Sequence, residues 1–319
     1  MTSRWPAHHT NITAEEFQLA INKVSAPFKS LCEQQQISDD LTPYLQTLYI
    51  PFADWLRNKQ CKAQQTLIVG INGAQGSGKS TFCELVACVL THAYGLNTVT
   101  LSIDDIYKTR EQRLQMAQDI HPLFVTRGVP GTHDTELGIT LLSQFKQLNN
   151  GETITYPVFD KGNDDRASKN HWPHCKGPID IVFFEGWCVG ARPQADAELV
   201  KAVNTLEKEE DKQGTWRRYA NDALKGDYHE LFSLLDRLVF LKIPSVDAIL
   251  KWRGLQEQKL IGQHRHEKHL MNSSSSLRRF LSHYDRLTQH QLNDMPTIAD
   301  IVIDIGNDHQ AKNVSFRRG

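Results

Sequence analysis

The chain has 319 residues, 39% of them hydrophobic, which is enough to bury one large core with attachments or two modest ones. Lys and Arg number 36 against 37 Asp and Glu, so the net charge of −1 argues against nucleic acid as the main partner. The six cysteines lack Cys-x-x-Cys spacing and the N-terminus has no signal-like apolar stretch, so we expect a cytoplasmic protein. No window approaches the about 18 consecutive apolar residues that a membrane span needs, so we expect no membrane partner. The sequence leaves the oligomeric state open.

Residues 1–62 are predicted to form a helical extension. Thr13 and Glu16 make a capping-box pattern at the start of a helix over 13–36, in which Pro27 is expected to introduce a kink or a break. Thr42-Pro43 marks the start of a second helix. Apolar residues recur on one face of each helix, which predicts packing on a core. We assign this extension no function beyond packing or subunit contacts.

From residue 66 onward, short apolar runs alternate with longer amphipathic segments, which is typical of βα units around a parallel sheet. Five strands are predicted, at 67–71, 98–103, 180–184, 238–243 and 301–305. Helices are predicted near 80–93, 110–119, 134–148, 195–211, 245–259 and 276–291. The polar stretch 160–178 is predicted to be an ordered excursion, and 253–278 a mobile lid. The pattern predicts an α/β fold with a five-stranded, mainly parallel sheet covered by helices on both faces.

A glycine-rich loop directly follows the first predicted strand. Its sequence, Gly73-Ala74-Gln75-Gly76-Ser77-Gly78-Lys79-Ser80, matches the P-loop pattern G-x-x-x-x-G-K-[ST] and precedes a predicted helix, as the motif requires. Backbone N–H groups of such a loop surround a phosphate, and the helix N-terminus adds partial positive charge. Lys79 is predicted to contact the β- and γ-phosphates of ATP, Ser80 to bind Mg²⁺, and Thr81 to assist. An incidental glycine-rich turn is the alternative, which the strand–loop–helix context disfavours.

A P-loop alone does not distinguish a kinase from a GTPase or a motor ATPase. The Asn-Lys-x-Asp element typical of guanine recognition is missing after the loop. Small-molecule kinases need a carboxylate beside the phosphate site, and Asp104 and Asp105 follow the second predicted strand, at the edge where parallel sheets bind ligands. Asp104 is favoured as the catalytic base. For Asp105, capping of the following helix is an equal alternative.

Glu185 ends the third predicted strand and precedes Gly186, so its carboxylate is expected at the same edge. It is predicted to bind Mg²⁺ together with Ser80 and Asp104, or to contact the substrate. An ordinary charge at the end of a strand is the alternative.

An acceptor that carries a carboxylate would need a cation to hold it, and Arg127, Lys161 and Arg166 are the candidates for that role. Each of these side chains alone is more often a solvated surface charge. His133 is predicted to hydrogen-bond an acceptor hydroxyl, or alternatively to cap the helix that begins near Asp134.

Two features fall in or next to the predicted lid. Arg253, on a helix leading into it, is predicted to stabilise charge on the transferred phosphate, with an exposed helix arginine as the alternative. A cluster of His264, His266 and His269 with Glu267 invites a metal interpretation, but a solvated lid tip is favoured because the segment is polar and no second cluster accompanies it.

Taken in order, these motifs resemble the plant-type D-glycerate 3-kinases and their bacterial and fungal relatives, within the phosphoribulokinase, uridine kinase and pantothenate kinase group. The similarity covers about residues 67–305 and rests on the blocks Gly73–Thr81, Ser102–Tyr107, Arg127–Asp134, Tyr156–Lys161, Asp165-Arg166, Phe184–Trp187 and Lys251–Arg253. The resemblance implies a Mg-ATP-dependent kinase domain over 63–319, with Asp104 as base. The predicted acceptor-binding residues are Asp105, Tyr107, Arg127, His133, Asp134, Tyr156, Asp160, Lys161, Arg166 and Glu185.

Glycerate is the favoured acceptor, which would give phosphoglycerate. Kinase action on a nucleoside, pantothenate or a sugar phosphate remains an alternative, because acceptor choice depends on a few loop side chains. A nucleotide-binding regulator with little catalysis is the alternative from another class. The intact set of Lys79, Ser80, Asp104 and Glu185 argues against that regulator.

Overall fold

The computed structural model describes residues 5–6, 9, 12–37, 39–249, 252 and 274–317. Arg253 and the cluster of His264, His266, Glu267 and His269 lie outside the described residues, so the roles predicted for them stay predictions. Within the described part of the chain, no helix combines the length and the apolar character needed to cross a bilayer.

The N-terminal segment is helical. Helix α1 (Ala14–Gln34) begins at a capping box in which Thr13 and Glu16 each bond the other's backbone, and it continues through Pro27 without a break. Helix α2 (Thr42–Tyr44) has Pro43 in its first turn and leads through the π-helical turn Leu45–Tyr49 into helix α3 (Ile50–Ala63).

The described part of the chain then contains ten strands: β1 (Leu67–Gly73), β2 (Thr98–Ser102), β3 (Thr153–Thr155), β4 (Phe159–Asp160), β5 (Asp165–Arg166), β6 (His174–Lys176), β7 (Ile181–Gly186), β8 (Arg237–Lys242), β9 (Ile301–Ile305) and β10 (Ala311–Phe316). Six of them form the central sheet in the order β10-β9-β8-β1-β7-β2, parallel except for the antiparallel pair β9 and β10. The remaining strands form two small sheets, β3 with β6 and β4 with β5. Strands β5 and β6 lie within the predicted polar excursion 160–178, β4 begins at its edge, and β3 precedes it.

The predicted α/β fold with a mainly parallel sheet is confirmed, but the sheet has six strands, not five. The sixth, β10, pairs along β9 at the sheet edge. Its sequence Ala-Lys-Asn-Val-Ser-Phe buries only Ala311 and Val314, so it contains no continuous apolar run that would announce a strand. Edge strands are half solvated, which weakens their sequence signal.

The remaining helices are α4 (Lys79–Tyr94), α5 (Arg110–Asp119), α6 (Thr135–Gln147), α7 (Thr205–Glu210), α8 (Thr215–Lys225), α9 (Asp227–Ser233), α10 (Ser274–Ser282) and α11 (Asp285–Ile298). Two helix predictions need correction. The predicted helix 195–211 is a 3₁₀ turn, Asp196–Leu199, followed by the short α7. The predicted helix 276–291 is two helices, α10 and α11. Helices α8 and α9 were not predicted, and of the predicted helix 245–259 the structure describes only 245–249 and 252.

The sheet is buried on both faces. Val69, Ile71 and Phe183 belong to one apolar core, whereas Val182 and Phe184 belong to the core on the opposite face. Helices α1 and α3 share the first core with β1 and α4, so the predicted boundary at residue 62 does not coincide with a break in packing. The boundary itself stays a prediction.

Candidate active site

The P-loop lies between β1 and α4, at the carboxyl edge of the parallel strands. Gly76 and Gly78 have φ of 74° and 85°, a backbone region that residues with a Cβ rarely adopt, and Gly78 caps α4 without a side-chain hydrogen bond. The first N–H groups of α4 are therefore open to an anion. The Lys79 ammonium donates to the Ala74 carbonyl at 3.1 Å and so lies across the loop.

Two carboxylates lie opposite this loop. Asp104 lies in the 3₁₀ turn Ile103–Ile106 after β2, and Glu185 lies near the end of β7, where it is paired in register with Ser102. A Cβ on Gly186 would come within 2.3 Å of the Ile103 side chain, so this glycine allows β7 to approach that turn closely.

The loop and both carboxylates open into one cavity of about 310 Å³. The residues that line it are Gln75, Gly76, Gly78, Lys79, Ser80, Thr81, Ser102, Asp104, Tyr107, Arg127, Lys161, Glu185, Gly186, Trp187, Phe280 and Tyr284. A phosphate held by the loop and a hydroxyl placed at Asp104 would therefore share one reaction space.

Glu185 and Ser80 meet inside this cavity. The Ser80 hydroxyl donates to Glu185 Oε1 at 3.0 Å, and Glu185 is only 5% exposed. Hydroxyl and carboxylate oxygens are the ligands that Mg²⁺ prefers in phosphate sites, so Ser80, Glu185 and the nearby Asp104 fit that ion.

Asp104 forms an ion pair with Lys161, whose Nζ lies 3.1 Å from Asp104 Oδ2. Burial alone would raise the pKa of Asp104, but the charge and hydrogen bond of Lys161, with a smaller contribution from Lys79, bring that pKa below its ordinary value. Asp104 is therefore ionised at neutral pH, the form that can accept a proton.

Asp105, next to it, has a different environment. Its Oδ2 accepts the Ser102 N–H at 3.2 Å and its Oδ1 accepts the Phe159 N–H at 3.1 Å. Burial raises the pKa of Asp105 to about 6, against the opposing effect of these two N–H groups. Asp105 does not line the cavity. The geometry thus matches the capping alternative, and a substrate contact by Asp105 stays a prediction.

Arg127 reaches the cavity from the loop before α6. Its guanidinium pairs with Asp164 and lies 5.2 Å from the centre of the Phe159 ring. The Tyr284 hydroxyl donates to the Arg127 carbonyl at 3.2 Å. Asp164 also pairs, at 3.1 Å, with Arg113, which is fully buried. Arg127 is therefore held at both its backbone and its side chain.

His133 and Tyr107, both predicted acceptor contacts, stack with ring centres 4.4 Å apart, but only Tyr107 lines the cavity. His133 is buried, and that burial lowers its pKa to about 3, so the ring is neutral. The Tyr228 hydroxyl oxygen accepts the backbone N–H groups of Gly131 and His133. We therefore assign the Tyr228 O–H as the donor to His133 Nδ1, so that the proton of the neutral ring is on Nε2.

Four other predicted acceptor contacts do not line the cavity. Asp134 caps α6 and pairs with Arg166 at 3.1 Å. Asp160 accepts N–H groups within its own hairpin turn. Tyr156 packs edge-on against Phe145 of α6. Any acceptor role for these residues stays a prediction.

Sequence reasoning missed four residues that shape the site. Trp187, Phe280 and Tyr284 line the cavity, and Asp164 holds Arg127. Trp187 was recognised only as part of a block. Asp164 has φ of +55° in a Gly-Asn-Asp turn, and this turn composition is the only sequence signal it carries.

A P-loop and two carboxylates that share one cavity at the carboxyl edge of a parallel sheet define a P-loop kinase, a nucleotide-dependent phosphotransferase. No protein-family model matches the chain. The uncharacterized kinase mug58 of Schizosaccharomyces pombe is 31% identical over 235 residues, which cover 71% of this chain and 81% of that protein. The chain belongs to this family of P-loop kinases, whose members include D-glycerate 3-kinase and uridine kinase-like proteins.

Two further comparisons concern glycerate kinases. The chloroplastic D-glycerate 3-kinase of Arabidopsis thaliana is 28% identical over 64% of this chain, and the chain spans only 46% of that protein. The structure of D-glycerate 3-kinase from Cryptococcus neoformans superposes with a TM-score of 0.69 at 23% identity, covering 83% of this chain and 97% of that chain. These findings confirm the predicted resemblance and the predicted fold class.

Proposed function

We propose that the protein is an ATP-dependent kinase that transfers the γ-phosphate of ATP to a hydroxyl of D-glycerate. One observation supports this most directly: the P-loop, Asp104 and the two cations Arg127 and Lys161 line the same cavity. The cations suit an acceptor with a carboxylate, since guanidinium and ammonium groups pair with carboxylate oxygens. The similarity to proteins named D-glycerate 3-kinase supports the same acceptor.

In the proposed reaction, the acceptor hydroxyl oxygen attacks the γ-phosphorus in line with the bond to the β–γ bridging oxygen, which breaks to release ADP. Asp104 receives the hydroxyl proton. Lys79 and the N–H groups at the start of α4 stabilise negative charge on the phosphate oxygens. Ser80, Glu185 and Asp104 would hold Mg²⁺, which when bound neutralises charge on the β- and γ-phosphates.

The nucleoside end of ATP would occupy a second cavity, of about 260 Å³, on the other side of the P-loop. Gly78 and Thr81 line both cavities, so phosphates in the first lead directly to the second. The N-terminal segment lines the second cavity opposite the loop before β10, through Gln36, Ile37, Asp39, Leu41, Tyr44, Leu48 and Tyr49. Gln310 donates to Asp39 at 2.8 Å across that boundary. The N-terminal segment is thereby proposed to contribute to nucleotide binding.

A coupled assay of ADP release tests the acceptor. The panel contains D-glycerate, L-glycerate, pantothenate, uridine and ribulose 5-phosphate, each with saturating MgATP. We expect D-glycerate to raise ADP release at least about a hundredfold over background. Stronger stimulation by uridine would favour a nucleoside kinase, in line with the uridine kinases that match 38% of the chain. No stimulation by any acceptor would favour the nucleotide-binding regulator.

Asp164→Ala is expected to raise the KM for the acceptor about tenfold while the KM for ATP and kcat change little. The reason is that Arg127 loses the carboxylate that fixes its guanidinium at the cavity. Steady-state kinetics with each substrate varied in turn measure the effect. Asn163→Ala, in the same turn but without a contact to Arg127, is the matched control. An unchanged acceptor KM in Asp164→Ala would show that acceptor binding does not depend on the Asp164–Arg127 pair.

A further inference from the structure

The cations that line the catalytic cavity differ in what holds them. Among the described residues these cations are Lys79, Arg127 and Lys161. Lys79 lies across the P-loop on the Ala74 carbonyl, and Arg127 is paired with Asp164 outside the cavity lining. Lys161 instead pairs with the proposed base, Asp104.

The hairpin that carries Lys161 is anchored at its other end. Asp165 accepts the Arg110 N–H at the start of α5, and Arg166 donates to the Tyr107 carbonyl at 2.9 Å. Lys161 lies in the turn of this hairpin, residues 161–164, and its side chain is 67% exposed. The backbone is therefore fixed, while a long, solvated side chain is able to change partner at little cost.

The pairing of Lys161 has a consequence for catalysis. The Lys161 ammonium pairs with Asp104 Oδ2. This oxygen is one of the two Asp104 oxygens that are able to receive the proton of an attacking hydroxyl. An acceptor that carries a carboxylate offers Lys161 a second anion within the same cavity. A neutral alcohol or a water molecule offers none.

We propose that Lys161 is a specificity-determining residue that exchanges partners: it engages Asp104 until the carboxylate of a small hydroxy acid draws it away, so that an anionic acceptor frees the base. The inference rests on the proposed kinase reaction and adds to it a reason why the acceptor must be an anion. The same pairing would slow the transfer of phosphate to water when no acceptor is bound, because Lys161 then occupies Asp104.

The first test requires no acceptor. Lys161→Met is compared with wild type and with Lys176→Met, an exposed lysine of the same excursion, in MgATP hydrolysis followed by ADP release. We expect Lys161→Met to hydrolyse ATP about fivefold faster than wild type, because Asp104 is free to act on water. Lys176→Met should match wild type, and adding Asp104→Asn to Lys161→Met should remove the gain. An unchanged or slower rate in Lys161→Met overturns the inference.

The second test compares D-glycerate with its neutral methyl ester, which keeps both hydroxyls. Wild type should prefer the acid by about a hundredfold in kcat/KM, and Lys161→Met should lose most of that preference through a lower kcat/KM for the acid alone. An equal loss with both compounds would assign Lys161 to the phosphate and overturn the inference, while the glycerate kinase activity would stand. A wild type that uses uridine and not glycerate would overturn the proposed function, and the hydrolysis measurement would still decide whether Lys161 restrains Asp104.

Discussion

Lys79→Ala is expected to lower kcat/KM for MgATP by about 10³-fold or more. Lys79 lies across the P-loop in the cavity that contains Asp104 and Glu185. Its ammonium is the cation placed to neutralise the charge that develops on the β- and γ-phosphates. The measurement is coupled ADP release with saturating acceptor, together with the equilibrium affinity for ATP.

Folding is not expected to account for this loss. Lys79 is the first residue of α4, and the helix keeps its cap at Gly78 and its apolar face when the side chain is shortened. Lys29→Ala, an exposed lysine on α1, serves as the matched control and should retain wild-type kinetics. If Lys79→Ala kept more than about a tenth of the wild-type kcat/KM, the loop would not be the phosphate site.

The phosphate site was predictable because its determinants are local. Eight consecutive residues, 73–80, specify the loop, and a buried apolar strand before them and a helix after them supply its context. Continuous apolar runs likewise located β1, β7, β8 and β9. Strand β10 and helices α8 and α9 were missed. Strand β10 has few buried residues, and α9 is only seven residues long.

The acceptor side was less predictable because distant segments build it. Arg127 and Asp164 are 37 residues apart, and Tyr284, in the turn between α10 and α11, is 157 residues beyond Arg127. No periodicity or short motif encodes such pairs. A sequence motif therefore identifies which residues lie near the acceptor site, whereas packing decides which of those side chains line the cavity.

Neighbouring residues illustrate this distinction. His133 and Asp134 lie in one predicted acceptor-binding block, yet the first is buried beneath Tyr107 and the second caps a helix. Both remain next to the site without lining it. They fix Tyr107 and the start of α6 instead: His133 stacks on the Tyr107 ring, Asp134 caps α6, and Arg166 links Asp134 to the Tyr107 carbonyl.

Asp104→Asn is expected to lower kcat by about 10³-fold while the affinity for ATP changes by no more than about threefold. The amide has nearly the shape of the carboxylate but does not accept the hydroxyl proton. Lys161 also loses its anionic partner, although that exposed ion pair contributes little to stability. Single-turnover phosphoryl transfer and ATP titration separate the two effects.

Asp105→Asn is the matched control for Asp104→Asn, because the two aspartates are adjacent but differ in what they contact. Both oxygens of Asp105 accept backbone N–H groups, and an amide nitrogen in place of one oxygen would leave a donor facing a donor. We expect a loss of about 1–3 kcal/mol in unfolding free energy, with kcat within about tenfold of wild type. If Asp105→Asn instead abolished turnover and Asp104→Asn left kcat near normal, Asp105 would be the base, and the cavity lined by Lys161 and Arg127 would not be where the hydroxyl is deprotonated.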